Sequence, residues 1–511
     1  GINQSGTITL TSGSDITFTS NNVINQTGAI NLAANVSGST AVVTYDTTSG
    51  NRLSTITGGT LTIAASTSTS AINYVMKSSG SALDPGAVGT SSIRLPGTIT
   101  IDNTFGGSPV ATNYLTTSSI TSSNTTTSIG VTIDNALYAT GNISLKGISY
   151  GQMGINYSTI INSSAGDVTL TGITSNYYGV YTAYSYAVTA NNITISGSSS
   201  STVTGWLVYI NALTINSGST GGDILVTATG PTAGGASGIS QAGAISGANG
   251  SDISFISNNK ISQSGAITLA ANTAATSSVT YDTTSGSKLS TISTGSLTLT
   301  SGSNQDVNYL VKASGGAVTI GGAIGVNGTI TLDNTYGCAT SGCTPASGYI
   351  TTSNYATLAT TDHAIQTTSG TLTAVKDITI KGISYGNYGW YSNQVTSTST
   401  GDVTVTGISY ANRGISQTGA ITATLGDVVL TGQTTTQYGV YATGLITANS
   451  ITVSGTGTGT IAGWITELGA MTINTAGGDI NITATGASAG GSSGINQSGT
   501  ITLTSGSDIT F

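Results

Sequence analysis

Residues 1–18 read GINQSGTITLTSGSDITF, and residues 494–511 repeat the same eighteen letters. An identity of this length does not arise by chance, so the chain contains one 493-residue period of a tandem array and the start of the next. An artificially assembled period would give the same pattern. Within the stretch, apolar residues alternate with threonines. The apolar residues Ile8, Leu10, Ile16 and Phe18 are predicted to point inward, and Thr7, Thr9 and Thr17 are predicted to point outward. This alternation is typical of short β-strands with one buried face.

The period contains two related halves, 1–237 and 238–493, and residues 494–511 begin the next period. GSDITFTSNNVINQTGAINLAAN in the first half matches GSDISFISNNKISQSGAITLAAN in the second. Each half contains a smaller repeat unit of about 25 residues, marked by a glycine at the end of a short strand. These glycines are Gly147, Gly172 and Gly197 in the first half and Gly382, Gly407 and Gly432 in the second. The second half has one additional block at about 401–425. One whole coil is therefore inserted without disturbing its neighbours, as in a solenoid.

Coils of 22–25 residues each carry two or three short alternating strands, separated by Gly, Ser, Asn and Asp. These corner residues permit tight turns and positive φ, and no stretch has a sustained helical apolar period. The sequence predicts an all-β fold, a parallel β-solenoid (β-helix) in which equivalent strands of successive coils pair. With roughly 20 coils at the usual strand spacing of about 4.8 Å, one period would rise about 90–105 Å.

The composition excludes several classes of protein. Charged residues are 5% of the 511 residues and the net charge is −8, which argues against helical bundles and against a basic surface for nucleic acid. Thr, Ser or Gly interrupts every apolar run, so no segment reads as a transmembrane helix, and we expect no membrane insertion of this segment. The chain begins at Gly1 without a signal-like stretch, and any export signal is expected outside it.

The coils GINQSGTITLTSGSDITF, ISQSGAITLAAN and TLTGITSNYYGVYT resemble the filamentous-haemagglutinin-like, β-strand-repeat exoproteins of bacteria. The resemblance covers nearly the whole chain and is a resemblance of pattern. It implies a right-handed β-helix, secretion across the outer membrane, and adhesive or surface-structural roles at an extracellular or cell-surface location. The secretion domain that many members carry has no counterpart in these residues, which leaves the export route open.

Few side chains are candidates for chemistry. Cys338 and Cys343 are predicted to form a local disulfide, because a two-cysteine metal site would need further ligands. The only histidine, His363, is interpreted as an exposed loop residue. Lys146 and Lys381, at equivalent positions before GISYG, are interpreted as solvated. We therefore expect no enzyme, no catalytic residue, no cofactor and no metal.

The aspartates occur mostly once per coil, at the start of a strand: Asp15, Asp167, Asp223, Asp252, Asp377, Asp402, Asp427 and Asp479. This pattern favours turn chemistry, in which the side chain binds local backbone. A stacked carboxylate column that binds Ca²⁺ is the alternative. The one-per-coil spacing also argues against a polysaccharide-degrading enzyme, which would need several acids in one groove.

Tyrosine is frequent, with 23 residues, and many cluster near corners. Eight aromatic residues form a candidate contact strip: Tyr177, Tyr178, Tyr181, Tyr388, Trp390, Tyr391, Tyr438 and Tyr441. The alternative is a stacked aromatic ladder that closes the corners. Trp206 and Trp464 fall at matching positions, which predicts packing, whereas Trp390 faces only Ile155 in the alignment and is predicted to be exposed.

The leading functional expectation is a structural segment of a long secreted repetitive β-solenoid that forms an extracellular fibre, filament or sheath at a bacterial surface. Its partner would be itself, end to end through the tandem repeats and also laterally. The alternative is a surface adhesin that binds glycans or host surfaces through the tyrosine-rich corners and long loops at about 77–96, 106–130 and 337–371.

Overall fold

The computed structural model describes residues 1–511 apart from 12, 34–39, 51–52, 64–70, 90–93, 107–113, 183, 204, 217–220, 232–237, 249, 271–275, 287–289, 301–305, 338–343 and 488–493. The chain divides into two compact units, Gly1–Ala248 and Asn249–Phe511. In each unit, strands of successive coils pair in parallel to form three columns, here called A, B and C in the order in which a coil visits them. The predicted parallel β-solenoid is confirmed.

Unit 1 has nine strands in column A among its described residues, and eight each in columns B and C. Column A consists of Ile2–Gln4, Ile24–Gln26, Ile56–Thr57, Leu83–Asp84, Val131–Ile133, Ile155–Tyr157, Val180–Tyr181, Val208–Ile210 and Ile239–Gln241. Column B consists of Ile8–Leu10, Ile30–Leu32, Leu61–Ile63, Leu137–Ala139, Ile161–Ser163, Ala187–Ala190, Ala212–Ile215 and Ile245–Gly247. Column C consists of Ile16–Thr19, Ala41–Asp46, Ile72–Lys77, Ile99–Asp102, Ile143–Ser149, Val168–Thr174, Ile193–Ser199 and Ile224–Thr229.

Unit 2 has nine strands each in columns A and B of its described residues, ten in column C, and one short helix, Tyr355–Leu358. Column A consists of Ile261–Gln263, Ile292–Thr294, Val318–Ile320, Ile365–Thr367, Trp390–Ser392, Ile415–Gln417, Val440–Ala442, Thr466–Leu468 and Ile495–Gln497. Column B consists of Ile267–Leu269, Leu297–Leu299, Ile324–Val326, Leu372–Ala374, Thr396–Thr398, Ile421–Ala423, Ile446–Ala448, Met471–Ile473 and Ile501–Thr502. Column C consists of Ile253–Ser257, Ser277–Asp282, Val307–Lys312, Ile330–Asp333, Ile378–Ser384, Val403–Ser409, Val428–Thr434, Ile451–Gly457, Ile480–Thr485 and Ile509–Thr510.

The core of each unit forms because every second residue of a strand points inward and meets the same kind of residue one coil later. Val168 pairs with Ile193, both fully buried, while Thr169 between the buried positions remains partly exposed. Branched side chains suit such a pleated, stacked surface. The inward and outward alternation predicted for residues 7–18 is present, and Phe18 is 8% exposed.

The interior also holds an aromatic stack at matching places in the two units. In unit 1 the Phe18 and Tyr45 ring centroids are 5.0 Å apart, and Tyr45 and Tyr74 are 5.5 Å apart. In unit 2 the corresponding stack is Phe255, Tyr281 and Tyr309, at 5.2 Å and 5.7 Å. The equivalence of the stacks agrees with the internal duplication read from the sequence.

The 25-residue glycine spacing corresponds to a column of glycines in register along column C. Gly147, Gly172 and Gly197 pair in unit 1, and in unit 2 Gly382, Gly407, Gly432 and Gly455 do so. A Cβ on Gly407 would lie 2.2 Å from the carbonyl oxygen of Gly414, so only glycine fits there. Unit 2 has four such strands where unit 1 has three, which is the additional coil.

Several coils are longer than the predicted 22–25 residues. Register pairs put 22 residues between Ile2 and Ile24, but 48 between Leu83 and Val131 and 47 between Val318 and Ile365. The additional residues lie in loops between strands, and the strands on either side of each loop still pair in register with their neighbours. Seventeen column-A strands, from Ile2–Gln4 to Thr466–Leu468, precede the repeated strand Ile495–Gln497, so the period has seventeen coils and not the roughly 20 expected.

A buried asparagine anchors the longest coil of each unit. In unit 2, Asn334 accepts a hydrogen bond from the Ile383 backbone N–H at 2.9 Å, and its amide donates to the Ile383 and Gly316 carbonyl oxygens. Asn103 makes the same exchange with Ile148 in unit 1. These side chains satisfy backbone groups that the departing loop leaves without ladder partners.

Glutamines at the ends of column-A strands close the adjacent corners. The Gln417 side-chain amide donates to the Gly419 carbonyl oxygen at 3.0 Å and to that of Gln394, in the preceding coil, at 2.9 Å. Gln497 bonds Gly499 and Gly469 in the same way, at 2.8 Å each. The recurring INQ-x-G and ISQ-x-G sequences thus encode a corner that is tied to its neighbouring coil.

Seven of the one-per-coil aspartates accept hydrogen bonds from backbone N–H groups of the next coil, whereas local turn chemistry was predicted. Oδ1 of Asp377 accepts from the Asp402 N–H at 3.0 Å, and Oδ1 of Asp402 accepts from the Asp427 N–H at 2.9 Å. Local Asx bonds occur instead at other aspartates, such as Asp46 with Thr48. Because the coils stack, each of these carboxylates lies next to the backbone of the following coil. That contact joins residues about 25 positions apart, so it could not be inferred from the residues adjacent to each aspartate.

Candidate functional site

The outer face of column A in unit 2 carries a row of aromatic and charged side chains. They stand two residues before, or one residue after, the first residue of successive strands. Register pairs align Gln366, Tyr391, Ser416, Tyr441 and Glu467 in consecutive coils. We call the following residues the unit 2 strip: His363, Tyr388, Tyr391, Arg413, Tyr438, Tyr441 and Glu467.

At one end of the unit 2 strip, three rings stack on one another. The His363 ring centroid is 4.8 Å from that of Tyr388 and 5.0 Å from that of Tyr391, and the ring planes differ by 13–14°. Tyr388 and Tyr391 are 5.4 Å apart at 19°. Because the rings turn their faces toward each other, much of their flat surface is used within the protein. Such stacking is what the alternative interpretation, an aromatic ladder, predicts.

His363 is half-buried, so its interpretation as an exposed loop residue is wrong. Burial lowers the pKa of its imidazole from the ordinary value of 6.5, and the nearby Asp362 carboxylate opposes this shift. Its Nδ1 atom has no hydrogen-bond partner among the described residues. The sequence shows only an isolated histidine, and its stacking partners lie a full coil away.

The middle of the unit 2 strip is a cation held against aromatic rings. The Arg413 guanidinium carbon is 3.8 Å from the Tyr441 ring centroid and 5.0 Å from that of Tyr438. Its Nη1 donates to Ser416 Oγ at 3.2 Å. Contacts of this kind contribute about 0.5–1 kcal/mol at exposed sites and more when desolvated. Arg413 thus connects the stack of His363 with the pair Tyr438 and Tyr441.

Tyr438 and Glu467 end the unit 2 strip. Burial raises the pKa of the Tyr438 hydroxyl, and the hydrogen-bonded Glu467 carboxylate raises it further, while Arg413 opposes the shift. The phenol therefore keeps its proton and donates a hydrogen bond to the carboxylate. The strip presents, in order, ring edges, one guanidinium and one carboxylate along five coils.

Unit 1 carries a second cluster, the unit 1 strip, which consists of Tyr178, Tyr181 and Tyr209 at equivalent column-A positions and of Tyr177, whose ring lies 4.7 Å from that of Tyr178. Tyr178 is 4.6 Å from Tyr181, and Tyr181 stacks on Tyr209 at 5.4 Å and 30°. Burial raises the pKa values of Tyr178 and Tyr181. A Cβ on Gly205 would come within 2.9 Å of the Tyr178 ring, so a larger residue there would displace this ring.

The structure groups seven of the eight predicted contact residues: three in the unit 1 strip and four in the unit 2 strip. Trp390 is the exception, and its predicted exposure is wrong: it is 1% exposed and lies inside unit 2. Trp464, predicted to pack, is 38% exposed. Sequence reasoning missed Tyr209, Arg413 and Glu467, and the signal that would have found them is their constant offset from the strand starts.

A separate cleft of about 350 Å³ lies in unit 2, lined in part by residues 348–352 of the long loop that joins strand Ile330–Asp333 to strand Ile365–Thr367, here called the inserted loop. Its lining includes Ile350, Ile383 and Ile408 together with Lys381. At the equivalent position of unit 1, the Lys146 ammonium lies 3.9 Å from the Tyr114 ring centroid, so Lys146 is not simply solvated. Cys338 and Cys343, predicted to form a disulfide, lie outside the described residues.

In the part of the chain that the structure describes, no group of three or more His, Cys, Asp or Glu side chains could hold a metal ion. The described residues also contain no helix that is long and apolar enough to cross a membrane.

The three columns define a parallel β-solenoid, and each unit carries a strip of aromatic side chains on the outer face of its column A. Searches for similar proteins add nothing to this description. No family model, no curated protein and no solved structure matches the chain.

Proposed function

We propose that the chain is a structural segment of a long, secreted, repetitive β-solenoid that forms an extracellular fibre, filament or sheath at a bacterial surface. The resemblance to filamentous-haemagglutinin-like exoproteins suggests this setting. One observation supports the proposal most directly. The 18-residue sequence occurs twice: residues 1–18 pair with the coil that follows them, and residues 494–511 pair with the coil that precedes them.

Residues 1–18 dock on the coil that follows them. Ile2 pairs with Ile24, Ile8 with Ile30, and Ile16 with Val43. All three columns continue from the repeated sequence into the next coil, so nothing in this coil ends the ladder on that side.

Residues 494–511 dock on the coil that precedes them. Thr466 pairs with Ile495, Met471 with Ile501, and Ile480 with Ile509. A single coil of this sequence therefore fits between the end of one period and the start of the next, with its strands paired on both faces. A tandem array of periods has no unpaired strand at such a joint, which is what a continuous fibre requires.

The role is mechanical. Ladders of backbone hydrogen bonds, Asp carboxylates bound to the next coil and corner glutamines tie each coil to its neighbours. Only 28 of the 511 side chains are Asp, Glu, Lys or Arg, so charge repulsion opposes lateral association weakly. Such a rod would bind its own kind end to end and along its sides.

The test is a two-period chain, residues 1–493 followed by 1–511, studied by cryo-electron microscopy and hydrogen exchange. We expect an axial spacing of about 4.8 Å and a long repeat of roughly 80 Å, from seventeen coils at that spacing. Amides of the internal joint coil should exchange far more slowly than those of the same sequence at the chain ends. Equal exchange at the joint and at the ends would contradict the proposal. Antibodies that label source cells only after permeabilisation would contradict the surface location.

A second candidate function is adhesion, favoured by the half-exposed strips at equivalent positions in the two units. In the unit 2 strip the ring faces stack on one another and on the Arg413 guanidinium. A glycan would therefore contact the ring edges, the tyrosine hydroxyls and Arg413. Glycan arrays probed with the full chain test this. Binding should disappear in the double variant Tyr391→Ala, Tyr441→Ala and persist in Tyr184→Ala, which removes an exposed tyrosine outside both strips. Arrays that stay silent, or that lose binding in both variants alike, would contradict it.

A further inference from the structure

We propose that the cleft of unit 2 binds a small carboxylate with an apolar body. The Lys381 ammonium holds the carboxylate, and Ile383 and Ile408 contact the apolar part. The site does not depend on the fibre proposal, because the residues that line it lie inside unit 2, in coils away from the repeated 18-residue sequence.

The floor of the cleft is the outer face of column C. Side chains of a strand alternate between its two faces, and Ile380 is fully buried, so Lys381 points outward. Ile383, two residues further on, lies on the same face as Lys381. Register pairs place Thr406 beside Lys381, and Ile408 beside Ile383, in the next coil. The lysine and the two isoleucines therefore share one face of the sheet.

The inserted loop covers this face only in part. Ile350 and Leu358 of the loop belong to one buried cluster with Ile383, which is 4% exposed although it points outward. Ile408, in the next coil, packs against the same cluster but is only half-buried. Apolar surface thus remains at the edge of the loop, where the cleft lies. A concave, mostly apolar site with a few polar groups is typical of small-molecule binding.

The cation of the cleft is not used within the protein. Lys381 is the one charged residue in the described lining, and its ammonium has no ion pair or hydrogen bond in the described part of the chain. The carboxylate of its register neighbour, Asp333, accepts from the Thr335 N–H and hydroxyl at 2.7 and 2.6 Å and from the Ser347 hydroxyl. An ammonium beside apolar surface attracts an anion more strongly than one in open water. One ammonium balances one negative charge, which favours a carboxylate over a phosphate dianion.

Unit 1 closes the equivalent place with its own side chains. On the matching strands, Ile148 and Ile173 are both buried in one cluster with Leu115 of the loop. The Lys146 ammonium lies 3.9 Å from the Tyr114 ring centroid. The chain itself thus provides, in unit 1, the apolar cover and the partner for the cation that unit 2 leaves to a ligand.

The loop tyrosine explains the difference between the units. The sequence YLTTS at 114–118 recurs as YITTS at 349–353, so Tyr349 is the counterpart of Tyr114. A Cβ on Gly337 would lie 2.6 Å from the Tyr349 ring, so this ring packs over Gly337. The contacts between cations and rings among the described residues include that of Lys146 but none from Lys381.

The volume of the cleft limits the ligand to a small molecule. The cleft measures about 350 Å³, and a water molecule takes about 30 Å³ of liquid, so roughly ten non-hydrogen atoms fit. Thr406 lines the cleft beside Lys381, and its hydroxyl donates to the same carboxylate. A carboxylate on a chain of about eight carbons meets these limits.

Calorimetric titration of the full chain with sodium octanoate tests the site. We expect one molecule bound per chain, with a dissociation constant of roughly 0.1–1 mM for a ligand of this size. Lys381→Met should weaken binding about tenfold or more, because the carboxylate loses its charged partner, and Lys381→Arg should retain most of the affinity. Lys146→Met changes the matching lysine of unit 1 and should bind octanoate as the wild type does. Octanol, which lacks the charge, and acetate, which lacks the apolar body, should each bind far more weakly than octanoate.

Thr406→Phe gives a second test that keeps the lysine, since its outward ring fills the cleft and should abolish binding. Hydrogen exchange of residues 403–434 establishes that this variant is folded. The proposal would be overturned by the absence of saturable binding at about ten times the expected dissociation constant. Equal affinities of Lys381→Met and the wild type, or undiminished binding in a folded Thr406→Phe chain, would overturn it as well. Self-association that Lys381→Met abolishes, without octanoate binding, would assign the cleft to a second copy and would also overturn it.

Discussion

The indole N–H of Trp390 donates a 2.9 Å hydrogen bond to Oε1 of Gln417, one coil further along column A in the interior of unit 2. The same glutamine ties two corners through its amide, to Gly419 and Gln394. The largest side chain of the core is thereby linked to the corner device that recurs along the chain. A tryptophan is accepted inside because its one polar atom has a partner.

Replacing Trp390 with Ala should destabilise unit 2 by about 3–5 kcal/mol, since it leaves a cavity in a close-packed core. Trp390→Phe should cost less but leave Oε1 of Gln417 without its donor. Hydrogen exchange of coils 390–417 measures the effect locally, which suits a solenoid whose coils need not unfold together. Tyr391→Ala, on the outer face of the same strand, is the control. An equal loss of protection in Tyr391→Ala would contradict the assignment of Trp390 to the core.

Replacing Gly407 with Ala should disrupt the column-C glycines. The added Cβ would lie 2.2 Å from the Gly414 carbonyl oxygen, which is backbone and cannot turn aside. Gly325, also within a strand, has no atom within 4 Å of its missing Cβ, so Gly325→Ala should be neutral or slightly stabilising. Chemical denaturation of both variants gives the comparison. A Gly407→Ala chain as stable as Gly325→Ala would show that the coils have room to separate.

Replacing Asn334 with Leu should release the inserted loop of unit 2. The change leaves the Ile383 N–H and carbonyl oxygen without their side-chain partners, at about 1–3 kcal/mol for each buried group. Limited proteolysis within residues 344–364 should become faster, while distant coils keep their protection. Asn25→Ala removes a partly exposed asparagine whose side-chain amide donates a hydrogen bond to Asn3, and it serves as the control. Unchanged proteolysis in Asn334→Leu would contradict the anchoring role.

His363 should make unit 2 less stable in mild acid. Burial lowers the pKa of the folded imidazole below its unfolded value of about 6.5, so the unfolded chain binds the proton more readily. Stability is full above the unfolded pKa, falls as the pH drops through it, and levels off below the lowered folded value. Because His363 is the only histidine, NMR titration reads its pKa directly. In His363→Gln this loss should be absent, and an imidazole that titrates at or above 6.5 would contradict the prediction.

The solenoid itself could be predicted because its determinants are local and repeated. Alternation at Ile8 and Leu10 sets the inward face, and a 25-residue glycine period can be satisfied only if strands such as those of Gly147 and Gly172 lie in register. Coil number was harder to predict. The long coils between Leu83 and Val131 and between Val318 and Ile365 have no internal repeat that would show where the ladder resumes.

The candidate site could be predicted only in part, because its contacts join residues about 25 positions apart. Tyr391 and Tyr441 were found as tyrosines, but Arg413 lies between them only once the register is known. For Trp390 the alignment contained the answer. It aligns with Ile155, an inward position of the matching coil, and that should have indicated burial.

The aspartate contacts that join successive coils run in one direction. Asp15 accepts from Val42, Asp252 from Ser278, and Asp427 from Ser450, and in each pair the acceptor belongs to the earlier coil and the donor to the later one. A chain that leaves the ribosome amino-terminus first therefore completes each acceptor before its donor emerges. Every finished coil is a template for the next, and growth of the rod can follow synthesis without waiting for distant sequence.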